Sequence, residues 1–128
     1  MPNSPRICVV DDDESVRESL EGLMRSVGFA VNTFASAEEF LDLDHLRNID
    51  CLIFDVRLPG MNGLELQRQM VTSHSEIPII FITSHEDDEV RARALNAGAV
   101  DYLLKPFNDE DLLNAIDAAL KPSVDGKT

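Results

Sequence analysis

Four short apolar runs in this chain each stop at residues that can do chemistry. Ile7-Cys8-Val9-Val10 is followed by Asp11, Asp12 and Asp13, and Cys51-Leu52-Ile53-Phe54 by Asp55. Ile79-Ile80-Phe81-Ile82 is followed by Thr83, and Tyr102-Leu103-Leu104 by Lys105. Acids from two neighbouring strands, about 4.8 Å apart, would converge, repel and resist ionisation. A hard divalent cation relieves that repulsion. Oxygen donors without thiolate or imidazole select Mg²⁺, with Mn²⁺ as the alternative, over zinc. Mg²⁺ takes only one or two protein carboxylates, which leaves a place for a phosphate oxygen. A carboxylate nucleophile, a cation site, an ammonium and a hydroxyl are together the parts of a phosphoryl-transfer site, where positioning and charge neutralisation dominate catalysis. Asp55, ending a rigid apolar strand, is the candidate nucleophile. Lys105 has the reach to span two strands, roughly 10 Å of backbone. Thr83 between them has one hydrogen bond to donate.

These residues need a scaffold, and the pattern supplies one. A fifth run, Ala30-Val31-Asn32-Thr33-Phe34, alternates polar and apolar and reads as an edge strand. The other four are nearly continuous in apolar character, as parallel strands covered on both faces are. Between them lie helical stripes: Val16, Leu20, Leu23 and Val27; Ala37, Phe40 and Leu41; Leu112, Leu113, Ile116 and Leu120. Capping pairs mark helix starts at Ser36/Glu39, Asn62/Glu65, Ser84/Asp87 and Asn108/Asp111. Gly28 and Gly98 follow helix ends, where a left-handed residue closes the last turn. Val90, Ala94 and Ala97 make only a thin stripe, so that helix should pack less firmly. Strict strand–helix alternation with short links implies an α/β fold, a doubly wound parallel sheet with helices on both faces. In such sheets ligands bind at the carboxyl ends of the strands, where the chemistry-bearing residues fall.

Bulk properties narrow the function. The 128 residues carry 24 acids against 11 bases, a formal charge of −13, which disfavours direct contact with nucleic acid. Cys8 and Cys51 lie inside strands and read as small core residues. His45, His74 and His85 lack metal-ligand spacing. No run is apolar enough to span a membrane and no signal peptide is evident, so the expected location is the cytoplasm. Residues 1–120 read as one domain, and 121–128, broken by Pro122 and Gly126, as a linker or tail.

Taken together, Val9-Val10-Asp11-Asp12-Asp13, then Ile53-Phe54-Asp55-Val56-Arg57-Leu58-Pro59-Gly60-Met61-Asn62-Gly63, then Ile82-Thr83-Ser84, then Tyr102-Leu103-Leu104-Lys105-Pro106-Phe107 resemble the receiver domains of bacterial two-component response regulators. The likeness runs to about Leu120. It implies a (βα)₅ flavodoxin-like sheet of strand order 2-1-3-4-5. It implies that Asp55 accepts a phosphoryl group from a sensor histidine kinase. It further implies Mg²⁺ held directly by Asp12, Asp55 and the Arg57 backbone carbonyl, with Asp11 acting through water. Lys105 would grip the phosphoryl group, with a cis bond to Pro106. Thr83 and an inward-turned Tyr102 would relay the change to the face formed by the fourth helix, fifth strand and fifth helix. Arg57 and His85 match positions that tune dephosphorylation, while Asp13 reads as a helix-start residue. The segments Phe34-Ala35-Ser36-Ala37-Glu38-Glu39-Phe40-Leu41 and Ala97-Gly98-Ala99-Val100-Asp101-Tyr102 resemble receivers that precede a LuxR-type DNA-binding output domain, and homodimerisation on phosphorylation is common in the family.

Two other readings use the same topology. A Mg²⁺-dependent aspartyl-phosphate phosphatase would carry an acid two residues past its nucleophile, where Arg57 stands, and a substrate cap. A flavodoxin-like cofactor binder would have a Ser-, Thr- or Gly-rich phosphate loop after the first strand, where Asp11-Asp12-Asp13-Glu14 stands instead. The signalling switch, not an enzyme with an external substrate, is the leading expectation.

Overall fold

Apolar, largely β-branched and aromatic runs form the five strands: β1 (Arg6–Val10), β2 (Ala30–Phe34), β3 (Cys51–Asp55), β4 (Ile79–Thr83) and β5 (Asp101–Leu104). The amphipathic stretches form α1 (Glu14–Ser26), α2 (Ala37–Leu41), α3 (Gly63–Thr72), α4 (Asp88–Asn96) and α5 (Asp109–Leu120). The computed structural model describes residues 4–42, 49–72 and 76–121. The expected tail at 121–128 lies outside them except for Lys121. All pairings are parallel and the strand order is β2-β1-β3-β4-β5, as expected.

Alternating side chains divide each strand between two apolar layers. Cys8, Val10, Leu52, Phe54 and Phe81 face α2, α3 and α4 through Ala37, Phe40, Leu66, Met70 and Ala94. Ile7, Val9, Cys51, Ile53, Ile80 and Ile82 face α1 and α5 through Leu20, Met24, Leu112, Ala115 and Ile116. The two cysteines are buried and free, on opposite faces of the sheet. Burial pushes the Cys8 thiol up to about 11 and that of Cys51 to about 12, so neither forms a thiolate readily.

Local signals account for most boundaries. Asn62 and Glu65 form a reciprocal capping box, with each backbone N–H 3.0 Å from the other's side-chain oxygen. Ser36 and Asn108 accept hydrogen bonds from the N–H groups of Glu39 and Asp111. Asp13 caps α1 by accepting from Ser15 N–H at 2.9 Å. Gly28 and Gly98 take φ of 93° and 108° just past α1 and α4.

Three expectations are corrected. α4 begins at Asp88, and its cap is Asp87, whose Oδ1 accepts from both Glu89 and Val90 N–H. The Ser84 start fails because His85 N–H turns back to the Thr83 hydroxyl at 3.2 Å, which holds this stretch out of a helix. In α1 the inward residue is Met24, fully buried, whereas Val27 is 44% exposed because it is the C-cap and has left the helical register. β5 is not covered on both faces, since it is the second edge strand and leaves Leu104 42% exposed. α4 buries only Ala94, in keeping with its thin stripe. A buried Gln67 on α3 ties it down, donating from Nε2 to the Ala94 carbonyl at 3.0 Å.

Candidate functional site

Parallel strands in register end at one edge of the sheet, and that edge collects the acids. β1 pairs with β3 through Val10↔Phe54, so Asp11 and Asp55 leave adjacent strands at the same level. Oxygens of Asp11, Asp12 and Asp55 all lie within 4.8 Å of one another. Asp11 is fully buried and Asp55 is 7% exposed, whereas Asp12 faces solvent. Lys105, just beyond β5, reaches across the edge. Its Nζ lies 2.9 Å from Asp11 Oδ2 and 3.0 Å from Asp55 Oδ2. The second oxygens are held by backbone: Asp13 N–H donates to Asp11 Oδ1 and Arg57 N–H to Asp55 Oδ1, both at 2.9 Å. The bond from Lys105 to Pro106 is cis.

The electrostatics follow from burial and pairing. Burial holds the Asp55 carboxyl above the usual carboxylate range, with Asp11 adding to the rise. The Arg57 N–H and the Lys105 ammonium pull it back only in part. For Lys105 burial works the other way and favours the neutral amine, but hydrogen bonds to Asp11 and Asp55 outweigh it and the ammonium is held above its ordinary range. The site therefore holds concentrated negative charge that one ammonium only partly offsets.

Thr83 ends β4, between β3 and β5, and is buried with its hydroxyl accepting from His85 N–H. Lys105 N–H donates to the Thr83 carbonyl at 2.6 Å, which links the two residues directly. Tyr102 is turned inward and buried, its ring centroid 6.4 Å from that of Phe81, which in turn packs edge-on against Phe54 at 5.2 Å. The three rings lie in register across β5, β4 and β3. The side chains of Arg57 and His85 are exposed at the rim.

Sequence reasoning missed three residues here. Arg17 on α1 donates from its guanidinium to the Asp11 carbonyl at 2.8 Å and braces the acidic turn. Gly63 opens α3 so close to the site that a Cβ there would lie 2.7 Å from the Asp55 carbonyl oxygen. Glu38 on α2 accepts from Met61 N–H at 3.0 Å across the β3–α3 loop. Only Gly63, in its place after Asn62, had a local signal.

A family model described as the response regulator receiver domain matches residues 7–117. This chain belongs to that family. Receiver domains are the phosphorylation-dependent switches of two-component response regulators. The response regulator protein TodT of Pseudomonas putida is 49% identical over 115 residues, covering 90% of this chain and 51% of that protein. The transcriptional regulatory protein FixJ of Bradyrhizobium diazoefficiens is 40% identical over 121 residues, covering 94% of this chain and 59% of its own. The receiver thus spans little more than half the length of the curated relatives it matches. Among solved structures, the response regulator StyR superposes with a TM-score of 0.86 at 48% identity, over 91% of this chain and 59% of that one. Among the described residues no helix is long and apolar enough to cross a membrane.

Proposed function

We propose that Asp55 is the phosphoacceptor of this receiver and that the donor is the phosphohistidine of a sensor histidine kinase. The observation that carries the reading is the Lys105 ammonium bridging Asp11 and Asp55 beside a third carboxylate, at the sheet edge where the strands end. An Asp55 oxygen attacks the phosphorus, the N–P bond breaks with its electron pair left on the imidazole, and an acyl phosphate forms. Lys105 then exchanges its contact with Asp55 for a phosphoryl oxygen, and the Thr83 hydroxyl donates to another. Residues fit a hard cation: three carboxylates converge with no thiolate or imidazole among them. Asp12, Asp55 and the Arg57 carbonyl would hold Mg²⁺ directly and Asp11 through water, and the ion would neutralise the crowded charge. Mn²⁺ has the same donor preference.

Repositioning of Thr83, together with the Tyr102 ring behind it, alters the face made by α4, β5 and α5. The weak apolar footing of α4 supports this, since Ala94 is its one buried residue. The exposed Arg57 and His85 tune how water reaches the acyl phosphate. The domain turns over no external substrate and assists only its own phosphorylation and hydrolysis. We read residues 1–120 as the switch, in a cytoplasmic protein, and 121–128 as a linker or tail. A DNA-binding output domain of LuxR type and a homodimer formed on phosphorylation are the partners we assign, on the family resemblance of the 34–41 and 97–102 segments; the similar FixJ is named a transcriptional regulatory protein.

The test is intact mass spectrometry after incubation with acetyl phosphate, with and without Mg²⁺. One phosphate should be gained only with Mg²⁺, and none by Asp55→Asn. Incorporation by Asp55→Asn at the wild-type level would remove Asp55 from the role.

A further inference from the structure

The β3–α3 loop, residues 56–62, carries the Arg57 carbonyl and is tied down at both ends. At its neck, Gly63 N–H donates to the Val56 carbonyl at 2.9 Å and Arg57 N–H donates to Asp55 Oδ1 at 2.9 Å. Its far side meets α2, where Met61 N–H donates to Glu38 Oε2 at 3.0 Å. Gly60, just before Met61 in the chain, has φ of +74°, and a Cβ built on it would lie 2.8 Å from that same Glu38 oxygen. The carboxylate thus lies against bare backbone, an approach that a side chain at residue 60 would block.

The base of this contact is firm. Ala37 and Phe40 on α2 are fully buried, and the Phe40 ring packs edge-on against Phe34 with centroids 5.6 Å apart. Ser36 and Glu39 are taken up in capping, accepting from Glu39 N–H and Ala35 N–H respectively. Glu38 has neither duty. It is an exposed acid on an anchored helix, reaching a loop 23 residues away in sequence.

We propose that Glu38 is a positioning residue for cation binding: its carboxylate clamps the β3–α3 loop and thereby sets where the Arg57 carbonyl stands relative to Asp55. The inference rests on the reading above that Asp12, Asp55 and the Arg57 carbonyl are the protein ligands of Mg²⁺. Without the clamp the loop samples more conformations, and the entropy of ordering it is charged to binding. Groups that orient metal ligands commonly change affinity by about tenfold or more when removed.

Calorimetric titration with Mg²⁺ alone tests this on the wild-type chain, Glu38→Ala, Glu38→Gln and Asp55→Asn. Glu38→Ala should raise the Kd by roughly tenfold. Glu38→Gln, whose amide oxygen still accepts from Met61 N–H, should stay within about twofold of wild type. A urea midpoint measured without metal separates this from a general loss of stability, which would move the midpoint and leave the Kd alone. An unchanged Kd in Glu38→Ala overturns the clamp, and so does a Glu38→Gln Kd as weak as that of Glu38→Ala. If Asp55→Asn binds Mg²⁺ as tightly as wild type, the ligand assignment fails first and the clamp falls with it.

Discussion

Replacing Lys105 with methionine keeps the length of the side chain and removes the ammonium that bridges two buried acids. Asp11 and Asp55 side chains are 0% and 10% exposed, so water does little to replace it. Removing one partner of a buried ion pair costs about 3–5 kcal/mol. Here each acid keeps a backbone N–H on its other oxygen, which favours the low end, about 3 kcal/mol. Protonation sets a ceiling. From an ordinary carboxyl value of 3.8, neutralising one acid at neutral pH costs about 4 kcal/mol, at about 1.4 kcal/mol per pH unit. The sign with pH follows. In the variant Asp55 loses the ammonium that pulls it down and stands further above its unfolded value, so the folded form binds more protons and gains stability as pH falls. Urea unfolding should therefore show a deficit against wild type of about 3 kcal/mol at neutral pH that shrinks toward pH ~5, and shrinks again on adding Mg²⁺. A deficit below about 1 kcal/mol, or one indifferent to both pH and Mg²⁺, would refute the claim that Lys105 neutralises this pair.

Two further outcomes follow from the same geometry. Because burial holds Asp55 above its ordinary range, its ionised form opposes folding: its contribution is favourable below about 3.8 and is lost as pH rises through the folded value. Asp55→Asn should accordingly raise the metal-free urea midpoint at neutral pH and lose that advantage near pH 3, and a variant less stable than wild type at neutral pH would contradict the reasoning. Gly63→Ala places a methyl 2.7 Å from the Asp55 carbonyl oxygen, 2.9 Å from Val56 Cα and 3.0 Å from the Phe81 ring. Overpacking against backbone should cost about 1–3 kcal/mol, more than the roughly 1 kcal/mol that alanine gains over glycine in a helix; a stabilised variant on urea titration would show that the loop yields freely.

What could be read from the sequence were features whose causes are local. The five runs became the five strands to within a residue or so: β1, β3 and β4 are buried on both faces and need an unbroken apolar stretch, and β2, at an edge, alternates. The caps at Ser36, Asn62 and Asn108 were legible because each donor lies three residues from its acceptor. The parallel doubly wound class followed from strict alternation, and that class alone places Asp11, Asp12, Asp55, Thr83 and Lys105 at one edge. The strand order came from the family likeness. Tertiary structure decided the partners across long separations. Lys105 spans 94 residues to Asp11 and 50 to Asp55, and which acid it meets depends on side-chain reach and burial at an edge assembled from separate strands. Asp87 displaced Ser84 as the α4 cap because the Thr83 hydroxyl captured the next turn. Glu38 is one of 24 acids in a chain of charge −13 and carries no local mark of its role. Its contact with Met61 exists only because the sheet carries α2 alongside the β3–α3 loop, and no local pattern encodes that approach.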